Sequence, residues 1–184
     1  MQKIVFFDRD GVVNLEDAPY GYEISKFYFA PGFMELFFTL KKQNAICVMV
    51  TNQSGIHRGI FTEQDLQKLN QFIQDCISAN LTLPLREAKV NPKNIGFDGI
   101  YFCPHTPNEN CECRKPKAKM FFDAIKDLHL DMQNSETFML GDRDIDMQAA
   151  LKAGVKNRIL ISKEKSENAT MCAKDLKDSL RFFL

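Results

Sequence analysis

Short unbroken apolar runs trade places along the chain with longer stretches of helical spacing. Lys3–Phe7 is too short for a helix and stops at Asp8, which reads as a buried strand. Pro31-Gly32 opens the next stretch, Phe33–Gln43, where Phe33, Leu36, Phe37 and Leu40 recur at helical spacing and the early proline suits a helix start. Ala45–Val50, rich in β-branched residues, reads as a second buried strand. Thr62 followed three residues later by Asp65 resembles a capping box, so the spacing predicts a helix from there to about Ala79. Leu81–Gly96, with prolines, asparagines and charges, reads as a connection. Beyond it the pattern predicts a strand at Phe97–Phe102, a loop at Cys103–Cys113, a helix at Lys117–Leu130 and a strand at Thr137–Leu140. A helix at Asp144–Ala153 closed by Gly154, a strand at Arg158–Ile161 and a last helix over Ala169–Leu184 complete the series.

Strands separated by helices predict an α/β fold, a doubly wound parallel sheet flanked by helices on both faces. Ligands of such sheets bind outside the carboxyl ends of the strands. The polar clusters of this chain follow its strands: Asp8-Arg9-Asp10, then Thr51-Asn52-Gln53-Ser54, then Cys103 onward, then Gly141-Asp142. All are expected at one edge of the sheet.

The 184 residues fit one domain, 1–184, large enough to fold on its own core. Twenty-four basic and 24 acidic residues cancel, which disfavours a nucleic-acid or anionic-membrane partner. No apolar run approaches the ~20 residues of a membrane span, and MQKIVFFDRD is not a signal peptide. The expected setting is cytoplasmic, where six cysteines are thiols or metal ligands rather than a disulfide framework. Cys47, Cys76 and Cys172 sit in apolar or helical contexts and read as inert.

Four clusters carry chemistry. Asp8 and Asp10 flank Arg9 just past a strand, and Gly11 allows the turn that brings both carboxylates to one side. Asp142, Asp144 and Asp146 follow another strand at the same edge. So many carboxylates require a cation, and oxygen ligands suit Mg²⁺. Thr51, Asn52, Gln53 and Ser54 offer a hydroxyl and amides to phosphate oxygens, although, taken alone, a polar turn explains them better. Arg114-Lys115 suits phosphoryl groups, although a basic pair is commonly a solvated surface. Cys103, His105, Cys111 and Cys113 form a complete Cys₃His set, which suits a closed, structural, tetrahedral zinc in the loop 103–113. Such a metal pins a loop with little core of its own and aims the adjoining Arg114 and Lys115.

In this order the clusters resemble the haloacid-dehalogenase superfamily of aspartate-nucleophile phosphatases: DxDG at Asp8–Gly11, Thr51, Lys115, and GD at Gly141-Asp142 with Asp146 beyond. FFDRDGVVN, TNQSGIHRGIFTE, CPHTPNENCECRKPK and LGDRDIDMQAA narrow the resemblance to the D-glycero-D-manno-heptose-1,7-bisphosphate 7-phosphatase family, over about residues 3–161. The histidinol-phosphatase domain shares the zinc loop but usually reads TNQDG at the second motif. Here Arg143 stands where many heptose enzymes carry lysine.

The resemblance implies no large cap domain, since Thr62–Gly96 is too small for one. It implies Asp8 as nucleophile, Asp10 as acid and base, Thr51 and Lys115 holding phosphate oxygens, and Mg²⁺ on Asp8, the Asp10 carbonyl and Asp142. Arg114 and Arg143 are expected on a second phosphate. Asn14, Tyr20, Asn52, Gln53, Ser54 and Arg58 are further candidate substrate contacts, with the Asn14–Tyr22 segment as a lip over the site. The implied partner is a small sugar bisphosphate and the implied state a monomer. Histidinol phosphate as substrate, and a zinc-stabilised binding module on an inactive fold, stay as competing readings. Intact Asp8, Asp10, Lys115 and Asp142 weigh against the latter.

Overall fold

The computed structural model describes residues 1–15, 21–90 and 94–184. Six strands form one parallel sheet: β1 (Gln2–Phe7), β2 (Ile46–Asn52), β3 (Gly99–Cys103), β4 (Ser135–Gly141), β5 (Asn157–Ile161) and β6 (Met171–Ala173). Their spatial order is β3-β2-β1-β4-β5-β6, and each neighbouring pair is parallel. The order reverses at β1, whose carboxyl end therefore opens into the crevice where ligands of such sheets bind.

β1 is apolar without alternation because both of its faces are covered. Val5 and Phe7 join the core beneath α1 (Phe33–Lys42) and α2 (Glu63–Glu87). Ile4 and Phe6 join the opposite core, beneath α3 (Lys119–Asp127) and α4 (Asp144–Lys152). α1 buries Phe33, Leu36, Phe37 and Leu40, the positions the spacing selected. No described helix is long and apolar enough to cross a membrane.

Two expectations are corrected. α2 runs to Glu87 rather than ending near Ala79, and so takes in much of the predicted connection. It starts at the Thr62–Asp65 capping box and buries Leu66, Leu69, Ile73, Ile77, Leu81 and Leu85 along one face. Pro84 lies inside it. A mid-helix proline costs about 3 kcal/mol, and burial of Leu81 and Leu85 offsets a loss of that size. The chain end is not one helix. Met171–Ala173 adds β6 beside β5, then Asp175 caps the short α5 (Leu176–Ser179) and a 3-10 turn follows at Leu180–Phe182. Phe183 is buried with its ring 4.8 Å from that of Phe138, whereas Leu184 is exposed.

Leu85→Ala is expected to lower unfolding free energy by about 2–5 kcal/mol, as for a core leucine. A change below about 0.5 kcal/mol in denaturant unfolding, as for a surface substitution, would return residues 81–87 to a surface connection.

Candidate active site

The site is built at the carboxyl ends of β1, β2 and β4. Asp8 continues the ladder, its N–H donating to Leu140 O at 2.9 Å. The residue is 1% exposed. Oδ1 accepts from the Arg9 N–H at 2.7 Å and lies 2.9 Å from Lys115 Nζ. Oδ2 is buried and has no hydrogen-bond partner among the described residues. The chain then folds back on itself, the N–H groups of Val12, Val13 and Asn14 all reaching Arg9 O. Gly11 sits at φ +80°, and a Cβ there would collide with the Asp142 carboxylate. The glycine thus admits both the turn and the approach of the fourth motif.

Lys115 is buried, and its ammonium is the hub. It lies 2.6 Å from Asp146 Oδ1 and 2.9 Å from Asp8 Oδ1, and it donates to Val50 O at 2.9 Å. Burial opposes its charge, but Asp146 and Asp8 outweigh burial and hold its pKa above the ordinary lysine value. Burial pushes the Asp8 carboxyl up to about 7, with Lys115 pulling it down and Asp146 and Asp10 adding to the rise. The lysine alone does not offset the burial of Asp8. Asp8, Asp142 and Asp146 each bring a carboxylate oxygen within 4.8 Å of the others. With Asp8 Oδ2 left unpartnered, this donor set fits a cation. Asp146 is also used elsewhere: Oδ2 accepts the Arg143 N–H at 3.1 Å and caps α4.

Asp10 lies apart from this set. Its Oδ1 accepts from Arg9 Nε at 3.1 Å, Arg9 Nη2 at 2.9 Å and Asn14 Nδ2 at 3.2 Å. Its Oδ2 accepts from Gln53 Nε2 at 2.9 Å and from Arg9 Nη2 at 3.1 Å. Asn14 and Gln53, expected on substrate, are buried against Asp10. Asn52 likewise spends its side chain inside, Oδ1 accepting the Lys115 N–H at 3.0 Å and Nδ2 donating to Lys115 O at 3.2 Å. This two-way clamp sets the Lys115 backbone beside β2. Buried amides must find partners, and here these are the Asp10 carboxylate and the Lys115 backbone. Ser54 is partly exposed and Arg58 exposed. Tyr20 and the lip residues Glu16 and Asp17 lie outside the described residues.

The sulfurs of Cys103, Cys111 and Cys113 and Nδ1 of His105 lie within 4.8 Å of one another. The separations from Cys103 are 3.6 Å to His105, 3.5 Å to Cys111 and 3.1 Å to Cys113; His105 is 3.3 Å and Cys111 3.6 Å from Cys113. A tetrahedron with about 2.0–2.3 Å bonds has edges of about 3.3–3.8 Å. The set therefore could hold one metal ion, and none of its cysteines is in a disulfide.

Comparison with known proteins accords with this geometry. A HAD-hydrolase-like family model matches residues 112–179. A D-glycero-β-D-manno-heptose-1,7-bisphosphate 7-phosphatase of Helicobacter pylori is 37% identical over 182 residues, covering 97% of this chain and 95% of that one. The corresponding α-heptose enzyme of Campylobacter jejuni is 42% identical, over 98% and 95% of the two chains. The chain belongs to the heptose-1,7-bisphosphate 7-phosphatase family. A solved member from B. bronchiseptica, complexed with magnesium and phosphate, superposes with TM-score 0.77 at 25% identity, over 98% of this chain and 97% of that one.

In this family member further contacts tie the segments around the site to one another. Arg9, fully buried, links Asp10 to the end of the lip by donating from Nη2 to Gly21 O at 2.8 Å. A charge between two aspartates at the end of an apolar strand was the available signal, since a buried guanidinium must be paired. Tyr22 stacks on Phe61 at 4.9 Å and so joins the lip to the Thr51–Thr62 segment. His57 lies 3.0 Å from Glu109 Oε1 and joins that segment to the Cys/His loop. Arg114 donates to His105 O at 2.9 Å. It lines a cleft of about 340 Å³ with Thr106, Asn110, Lys117 and Lys152. Arg143 is half-exposed, its Nε 3.7 Å from Asp142 Oδ1. Asp144 accepts from Ser166, Asn168 and Gln148, which pins the segment after β5 to the start of α4.

Lys115→Met is expected to destabilise the chelator-treated protein by about 3–5 kcal/mol, because Asp8 and Asp146 lose their buried counter-charge. Denaturant unfolding measures it. An unchanged midpoint would remove Lys115 as the hub.

Proposed function

We propose that this protein hydrolyses the 7-phosphate of D-glycero-D-manno-heptose 1,7-bisphosphate, releasing heptose 1-phosphate and phosphate for nucleotide-activated heptose synthesis. The observation that carries the reading is the division between the two carboxylates of the first motif. Asp8 faces Lys115 with a spare buried oxygen, whereas Asp10 is held apart by Arg9, Asn14 and Gln53. One is arranged as a nucleophile and the other as a proton carrier. The names of the family's members in other organisms supply the substrate.

Asp8 attacks phosphorus in line and forms an aspartyl-phosphate, while the bond to the sugar oxygen breaks and Asp10 gives that oxygen its proton. Water then attacks the same phosphorus, Asp10 takes its proton, and phosphate leaves with Asp8 regenerated. Asp8, Asp142 and the Asp10 carbonyl would hold Mg²⁺, which supplies charge neutralisation for the phosphoryl group. Lys115 has its contacts filled by Asp8, Asp146 and Val50 O. It therefore exchanges one of them for a phosphate oxygen as the substrate binds. The Thr51 hydroxyl holds another. Arg114 and Arg143 take the second phosphate, and would reject monophosphates by being left unpaired. The cleft that Arg114 shares with Lys117 and Lys152 supports an anion there.

Cys103, His105, Cys111 and Cys113 would hold a structural Zn²⁺, with no position left for catalysis. We take the protein as a monomer acting as one domain over residues 1–184. Unpaired thiols suit a reducing cytoplasmic setting.

Phosphate release with Mg²⁺ is measured side by side on the α and β heptose 1,7-bisphosphates and histidinol phosphate. The reading expects strong preference for a bisphosphate, whose anomer then assigns the pathway branch. Preference for histidinol phosphate would overturn the substrate and keep the chemistry. Asp8→Asn is expected to lower turnover by roughly 10³-fold or more with the fold intact, and wild-type rate in that variant would remove the nucleophile. Cys111→Ser is expected to lose bound zinc and melt at lower temperature. Unchanged metal content and melting would refute the zinc assignment.

A further inference from the structure

Gln53 is 3% exposed and stands where the first two motifs and the Cys/His loop meet. Its side-chain NH₂ has two hydrogens and uses both: Nε2 lies 2.9 Å from Asp10 Oδ2 and 2.9 Å from Thr51 Oγ1. Its backbone N–H donates to Cys103 O at 2.7 Å, which ties the residue to the first cysteine of the Cys/His cluster. The chemistry of the two contacts is unequal. Asp10 Oδ2 accepts from Gln53 and from Arg9 Nη2, while Oδ1 accepts from Arg9 and Asn14, so both oxygens of the carboxylate are held and Gln53 supplies the shorter bond to Oδ2. Thr51 receives a hydrogen bond on its oxygen, so its own hydroxyl proton is left to be given away. A phosphate oxygen is the acceptor that this proton suits.

We propose that Gln53 is a positioning residue for the hydrolysis: one buried amide sets the Asp10 carboxylate and the Thr51 hydroxyl at a constant spacing, so that proton delivery to the leaving oxygen and grip on the phosphoryl group stay in register. The inference rests on Asp10 as the acid and base. It moves Gln53 from the substrate contacts to the machinery behind them.

Proton delivery matters only when the leaving group needs a proton. A sugar alkoxide does, whereas p-nitrophenolate leaves as a weakly basic anion. The test is single-turnover cleavage, enzyme in excess over substrate, of the heptose bisphosphate and of p-nitrophenyl phosphate. Gln53→Leu is expected to slow sugar release about 100-fold, the scale of a general acid's contribution, and p-nitrophenolate release by less than about 10-fold. The ratio of the two rates then falls by more than about tenfold. Asp10→Asn lowers the same ratio, and adding Gln53→Leu to it lowers the ratio no further, as expected for residues acting as a unit. Gln53→Met, of similar length and without a donor, repeats the measurement if the leucine variant does not fold.

Equal slowing of both substrates by Gln53→Leu would overturn the inference, since a structural role or the loss of Thr51 alone does not distinguish leaving groups. Additive loss in the double variant would overturn it as well. If Asp10→Asn itself left the ratio unchanged, the acid-base reading of Asp10 would fall and the Gln53 inference with it. The Asp10→Asn arm thus tells the two failures apart.

Discussion

A buried ammonium between two buried carboxylates is the constraint around which the rest is arranged. Lys115 lies within 3 Å of Asp8, Asp146 and the Val50 carbonyl, and all three side chains are out of water. Burying such charges is costly unless geometry and further hydrogen bonds compensate. The compensation comes from the chain segments themselves. Asn52 clamps the Lys115 backbone, the Arg143 N–H holds Asp146, and the Arg9 N–H holds Asp8. The Lys115 end of the Cys/His loop, the end of β2 and the start of α4 are thereby drawn to β1. Asp8, Asp142 and Asp146 face a single buried ammonium, and that excess of carboxylates is what makes the arrangement receptive to a cation.

Around this centre the segments that surround the site are joined in series. Arg9 secures the lip through the Gly21 carbonyl, Tyr22 stacks on Phe61, and His57 meets Glu109 of the Cys/His loop. Gln53 and His57 also bond the backbone of that loop at Cys103 and Pro104. A metal held at the four Cys and His ligands would therefore stabilise more than its own loop, because the second-motif segment leans on it and Arg114 is aimed from it.

Much of this was legible in the chain because the signals were local. β1 and β2 read as apolar runs, α1 as a 3.6-residue period, and the four motifs fell at strand ends, where topology alone sends them to one edge. The errors arose where one local signal met a tertiary one. Pro84 argued for a break, but the apolar face continues through Leu81 and Leu85 into the core. Met171–Ala173 carries too short a pattern to announce an edge strand, and only the open side of β5 makes it one. At the site, residue type gave the chemistry but not its direction. An amide after a strand suits a phosphate as well as a buried carboxylate, and nothing in TNQ tells which; three-dimensional proximity turns Asn52 to Lys115 and Gln53 to Asp10. Arg9 was hidden by its motif, in which the two flanking aspartates draw the attention.

The central claim is that Asp8, and not its neighbour, bears the phosphoryl group. The most direct test is to mix enzyme and Mg²⁺ with the bisphosphate, quench in acid within a turnover, reduce with borohydride and map the modified peptide by mass spectrometry. Reduction of an aspartyl-phosphate leaves homoserine. The account predicts homoserine at position 8 with Asp10 unchanged. Homoserine at position 10, or efficient turnover with no trapped acyl phosphate at either position, would contradict it.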